Sequence, residues 1–277
     1  MPTWISDCLF DLRFGARSFA KRPAFTAAAV LTLALGIAAA TTVFSIVDAV
    51  LLRPLPYKNA GRLVAVWTTS TREASLAKIF ATYRDYLEFR NHSRTLESIS
   101  VATWATNISR VLTGHGPARS VLTVPVSSTF FSTLGVDAAI GRVFTKDDES
   151  RGCSIVIAHK FWTSTLNADP SIIGKTLTFD QKPCTVLGVM PPRFSFYPAP
   201  TQAWILITRD FQPNLDHLLV GIFARLQPGA TSAQAQSELR TSTARSTLTA
   251  NHATSYRSSM ISTANSPSSP AARCARL

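Results

Sequence analysis

The sequence predicts an α+β protein with one N-terminal transmembrane helix followed by a mixed α+β extracytoplasmic domain. Three observations carry this. The stretch from Phe25 to Leu52 is apolar with Asp48 as its one ionisable residue. Short runs rich in Val, Ile and Thr, separated by turn residues, fill positions 58–228. Four bases, Arg13, Arg17, Lys21 and Arg22, precede the apolar stretch and fix which end stays inside.

In residues 1–22, Trp4, Ile5, Cys8, Leu9, Leu12, Ala16 and Phe19 recur mostly at helical spacing. That pattern predicts a cytoplasmic amphipathic helix lying in the membrane interface. Residues 23–53 then form the span. As a helix, the apolar stretch from Phe25 to Leu52 reaches about 42 Å, more than the roughly 30 Å of a hydrocarbon core. Leu33, Ile37 and Phe44 are its expected structural residues, and Gly36 permits close helix packing. Asp48 falls about 35 Å along the axis from Phe25. It reads as a wetted carboxylate near the helix end; the alternative, an intramembrane functional acid, has no partner in a one-span chain. Pro54 and Pro56 stop the helix. A cleaved signal peptide is the rival, with Ala38-Ala39-Ala40 as the small-residue pattern. The apolar stretch, however, runs on for a dozen residues beyond Ala40.

Residues 54–240 are the expected outer domain. Strands are predicted at 61–67, 118–127, 153–159, 175–180 and 184–190, and helices at 81–93, 128–135 and 161–167. After Pro228 a helix starts, capped by Thr231 or Ser232. Phe130, Phe131, Trp162 and Val189 are the expected core. In residues 241–277, 15 of the positions are Ser or Thr and no acid appears. That segment reads as a disordered or frame-shifted tail, removable at little cost.

The net charge of +12 is spread thinly, with no block of like charges, which argues against a nucleic-acid partner. Four cysteines are too few for a disulfide scaffold. Cys153 and Cys184 can meet in an oxidising compartment, yet unpaired thiols are the expected state. Gly174-Lys175-Thr176 imitates the end of a phosphate loop, but Asp169 stands where the first glycine belongs, so it reads as a turn into a strand. Asp147, Asp148 and Glu149 read as a solvated loop rather than a cation site. His92, His115, His159, His217 and His252 are scattered and read as surface or loop residues. No catalytic, cofactor-binding or metal-binding set emerges, so no enzyme and no cofactor are expected.

Several phrases line up with a known family. They are DLRFGARSFAKRPAFTAAAVLTLALGIAAATTVFSIVDAVLLRPLPY, TYRDYLEFR, VSSTFFSTLGVDAAIGRVFTKDDE, IVIAHKFWTSTLNADPSIIGKTLTFDQKPCTVLGVMPPRFSFYP and LQPGATSAQAQSELR. In order and spacing the chain resembles the permeases of MacB-type ABC transporters over roughly residues 7–240. The resemblance implies a first membrane helix and a MacB-like periplasmic core domain. It implies a bacterial inner-membrane location, single-pass, with the N-terminus cytoplasmic. It also implies a role as mechanical coupler. The partners would be the lipid bilayer, a separate ABC ATPase subunit and other permease subunits. Members of the family continue into an FtsX-like region with three more spans, and no later apolar run of that length follows here. The expectation is therefore the N-terminal part of a permease subunit, truncated and not competent alone. The alternative is a single-span tethered binding or sensing module.

Overall fold

An unbroken helix, α1 (Pro23–Val47), opens the computed structural model, which describes residues 23–47, 57–70, 80–103, 108–196, 201–209, 215–249 and 256–263. Proline at the first helical position has no N–H to waste there. The portion Pro23–Ser45 has a mean hydropathy of 2.1, and its apolar side chains, Leu33, Ile37 and Phe44 among them, lie exposed. Its hydroxyls turn back onto the helix: Thr32 Oγ1 donates to the Ala28 carbonyl at 3.0 Å and Thr42 Oγ1 to that of Ala38 at 2.7 Å. A helix that satisfies its own polar groups and shows hydrocarbon all round suits lipid. The interfacial helix expected over 1–22, with Arg13, Arg17, Lys21 and Arg22, lies outside the described residues, as does Asp48.

The chain divides into two units, Met1–Arg53 and Pro54–Leu277. The second is built on a twelve-stranded sheet. Its strands are β1 (Leu63–Ser70), β2 (Ala81–Thr82), β3 (Leu96–Thr103), β4 (Ile108–Thr113), β5 (Arg119–Val126), β6 (Ile140–Gly141), β7 (Ser154–Ile157), β8 (Thr176–Phe179), β9 (Lys182–Val189), β10 (Ala203–Leu206), β11 (Leu219–Leu226) and β12 (Tyr256–Thr263). Four helices accompany them: α2 (Tyr83–His92), α3 (Phe130–Leu134), α4 (His159–Thr165) and α5 (Ser232–Thr249).

The strand order is β10-β7-β9-β8-β4-β5-β3-β11-β1-β12. Because β10 also pairs in parallel with β5, the first six strands close into a ring. Residues two apart point into it: Ile155 and Ile157, Leu177 and Phe179, Cys184 and Val186, Ala203 and Ile205 share one buried cluster with Phe161 of α4. Val126 is the branch point, opposite Leu206 on one side and Ala102 on the other. From there β3, β11, β1 and β12 run antiparallel as a wing. Both faces of this wing are covered. Val64, Val66, Val220 and Ile222 pack with Tyr86 and Phe89 of α2 and Leu239 of α5. Leu63, Ala65 and Phe223 pack on the opposite face with Phe130, Phe131 and Trp204.

Local signals explain the helix starts. Thr82 Oγ1 accepts from the Asp85 N–H at 3.2 Å while the Asp85 carboxylate accepts from the Thr82 N–H at 2.9 Å. Thr231 and Gln234 repeat this reciprocal cap at the head of α5. The expected helices and strands appear at or near their places, but β2, β3, β4, β6, β10, β11 and β12 were not foreseen. The tail also differs from expectation. α5 continues to Thr249, and Tyr256–Thr263 pairs with β1. A Ser- and Thr-rich segment can do this because the ladder joins backbone to backbone and asks little of the side chains.

Candidate functional site

The chain enters the second unit at a knot of buried contacts. Tyr57 is buried, and its hydroxyl donates to the Ser195 carbonyl at 3.2 Å. Arg225, on β11, is only 6% exposed. Its guanidinium donates to the Lys58 carbonyl at 2.7 Å, to that of Asn59 at 3.3 Å, and twice to that of Thr133, at 2.8 and 3.1 Å. Thr133 lies in the last turn of α3, where helix carbonyls are unpaired and partially negative. Burial, with Arg62 nearby, pushes the Arg225 pKa down, yet a guanidinium stays charged throughout the physiological range. Gly135 completes the knot. Its φ is +70°, and a Cβ there would stand 2.7 Å from the Lys58 Cβ and 3.3 Å from Arg225 Nη2. Any side chain there would have to displace Lys58, and the positive φ itself favours glycine. Arg62 Nε donates to the Leu226 carbonyl at 2.8 Å, and its Nη2 pairs with Glu97. Residues 57–62 are thus held at three points before the chain becomes β1.

The acidic triplet has a structural use. Asp148 is buried, faces Arg142 through two hydrogen bonds of 2.6 and 2.7 Å, and caps its own turn through the Thr145 N–H and hydroxyl at 2.9 Å each. The Arg142 guanidinium holds its carboxyl well below the usual carboxylate range. Glu149 accepts from the Ser128 hydroxyl, and Asp147 is exposed. Among the described residues no group of His, Cys, Asp and Glu is placed to hold a metal ion. Gly174-Lys175-Thr176 is a turn into β8, with Lys175 Nζ 3.1 Å from the Asp169 carboxylate. Hydrogen bonds from Ser171, then from Lys175, lower the Asp169 pKa to about 2.

Of the expected core residues, Phe130, Phe131 and Val189 are fully buried. Trp162 is half-buried, with Nε1 donating to the Asp169 carbonyl at 2.9 Å. Among the histidines, His92 and His115 are exposed and His159 is half-buried against Trp162, ring centroids 5.4 Å apart. His252 lies outside the described residues. Cys153 and Cys184, expected as free thiols, form a disulfide with a Cα–Cα distance of 4.5 Å. Cys153 immediately precedes β7, the parallel neighbour of β9, which a separation of 31 residues conceals in the sequence. Arg225 was missed as well. Its signal was an arginine inside the apolar run LVGIFARL.

An open groove of about 440 Å³ lies beside the ring, lined by His115, Thr165, Asn167, Asp169 and Ile172 among others. The disulfide, the groove and the knot sit on one scaffold, and its lineage follows from comparison. The profile of the MacB-like periplasmic core domain matches residues 26–242. The chain belongs to this family. The MacB-like domain is also similar in fold to the periplasmic region of MacB from Actinobacillus actinomycetemcomitans. That likeness has a TM-score of 0.53 at 14% identity over 74% of this chain and 89% of that one. The extracellular domain of the ABC-type transporter YknZ from Gram-positive bacteria gives a TM-score of 0.50 at 14% identity, over 71% of this chain and 98% of that one. In sequence, the macrolide export ATP-binding/permease proteins MacB of Neisseria gonorrhoeae and Neisseria meningitidis are 28% identical over 92 residues, 33% of this chain. The aligned segment is 14% of their length, so the chain spans a small part of the curated relatives it matches.

Proposed function

We propose that the chain is a membrane-anchored permease component of an ABC transporter, in which the MacB-like domain receives motion from the membrane helix and passes it outward. In this reading α1 crosses the bacterial inner membrane. Residues 1–22 lie on the cytoplasmic face, and the core domain over 54–240 stands outside. ATP hydrolysis belongs to a separate ABC ATPase subunit, and the domain itself catalyses nothing. Its partners are the bilayer, that ATPase and other permease subunits.

The observation that carries the reading is the knot at residues 57–62. A tether that only holds a domain near a membrane needs no fixed exit. Here the chain after the apolar helix is fastened by Tyr57, by Arg225 through the Lys58 and Asn59 carbonyls, and by Arg62. A displacement of this segment therefore moves the sheet with it. The Cys153–Cys184 disulfide supports an oxidising, extracytoplasmic setting. Purification of the full chain from mildly solubilised host membranes tests the proposal. Co-purification of an ABC ATPase subunit is expected; recovery of the chain alone under conditions that preserve other ABC complexes would overturn it. The groove beside His115 and Asn167 favours a second reading, a tethered module that binds or senses a ligand. That reading predicts ligand-dependent protection of the groove with no ATPase attached.

A further inference from the structure

We propose that the Cys153–Cys184 bond is installed by thiol–disulfide exchange with an extracytoplasmic protein oxidant, and that Cys153 is the sulfur through which the oxidant enters. The two cysteines are unequal. Cys184 lies on β9 with its side chain inside the six-stranded ring, fully buried among residues such as Ile155, Leu177 and Val186. Cys153 precedes β7 at the rim of the same ring and is partly exposed. Exchange requires one sulfur to approach another along the S–S axis, so access decides which thiol reacts first. Only Cys153 offers that access once the ring has formed.

The steps balance. The Cys153 thiolate attacks the oxidant's disulfide, forming a mixed disulfide and releasing the oxidant's second thiolate. The Cys184 thiolate then attacks the Cys153 sulfur, closing the internal bond and freeing the oxidant as a dithiol. Two thiols lose two electrons and two protons, and the oxidant's disulfide gains them. The fold prepares the second step. β7 and β9 are parallel neighbours with Ser154 opposite Thr185, and the Thr185 N–H donates to the Cys153 carbonyl at 2.9 Å. The partner is thus a thiol–disulfide oxidoreductase with a reactive disulfide of its own.

This proposal rests on the outward placement of the domain, and the experiment separates the two. Full-length chain carrying Cys8→Ser and Cys274→Ser is expressed in bacterial membranes, acid-quenched and probed with a maleimide on non-reducing gels. Cys153 and Cys184 are expected to label only after reduction, and in a host lacking its periplasmic thiol oxidant they label without it. Adding Cys184→Ala should leave a reductant-sensitive adduct on Cys153 about tenfold more abundant than the adduct that Cys153→Ala leaves on Cys184. Equal adducts from the two variants would overturn Cys153 as the entry point. Free thiols in a domain that external protease digests in spheroplasts would overturn the bond while leaving the outward placement intact. Free thiols in a protease-protected domain would instead overturn the placement, and this proposal with it.

Discussion

Arg225 is a buried cation whose hydrogen bonds, among the described residues, all run to backbone carbonyls. Truncating it strands those acceptors in a dry interior, where each lost partner has a real cost. Arg225→Ala should lower the unfolding free energy of the detergent-solubilised chain by about 3 kcal/mol, measured by denaturant titration. Arg225→Lys should restore less than half of that, because one ammonium cannot span the Thr133 and Lys58 carbonyls as a planar fork does. Asp148 gives a pH signature. Its carboxyl is held below its ordinary value by Arg142, so the stabilisation is complete above about pH 4 and is lost as the pH falls toward the depressed folded value. Wild-type midpoints should therefore drop between pH 6 and pH 3 by more than those of Asp148→Asn. Equal slopes would mean that the pair contributes nothing. Neither residue was legible as a partner. Arg225 stands out in its strand, but its acceptors lie 92 and 167 positions away. Asp148 sat in a run of three acids that pattern alone assigns to solvent.

The elements divide by how much of their stability comes from side-chain pattern. α5 was legible because Thr231 announces its start in the sequence, whereas the Thr82–Asp85 cap of α2 shows only in the structure. β1, β7 and β9 were legible as Val- and Ile-rich runs, since strands covered on both faces need apolar residues at nearly every position. β12 was not. It joins the wing through the β1 ladder, with Val66 opposite Ile261 and Trp67 opposite Met260, and a backbone ladder leaves little trace in composition. Pairing carries its own prediction. Arg257 lies within β12, so trypsin should cut there as slowly as at arginines inside the sheet, such as Arg110. Removing residues 250–277 should expose the β1 edge, lower the denaturation midpoint and promote self-association, read by light scattering. Rapid cleavage at Arg257 with an unchanged midpoint would show that β12 adds nothing.

At the scale of the whole molecule, the order of apolar helix and α+β domain was readable from the sequence, and so was the family. Closure of the six-stranded ring was not, because it hangs on β5 meeting β10 about eighty residues later. The anchor is the molecule-level prediction. The full chain should stay in the pellet after alkaline carbonate extraction, while a soluble form beginning near Thr41 would convert α1 into a signal peptide. One further consequence lies in how β1 is loaded. Leu63 follows directly on the clasped segment, and β1 is paired to β11 over Leu63–Val66 on one side and to β12 over Val64–Ser70 on the other. Ladder bonds stand perpendicular to the strand, so a tug along β1 from residues 57–62 runs across all of them at once, in shear. β12 pairs with β1 alone among the described strands, so a pull across its axis opens that ladder one rung at a time, like a zip. The domain is therefore stiff to a pull on residues 57–62 and yielding at its β12 edge.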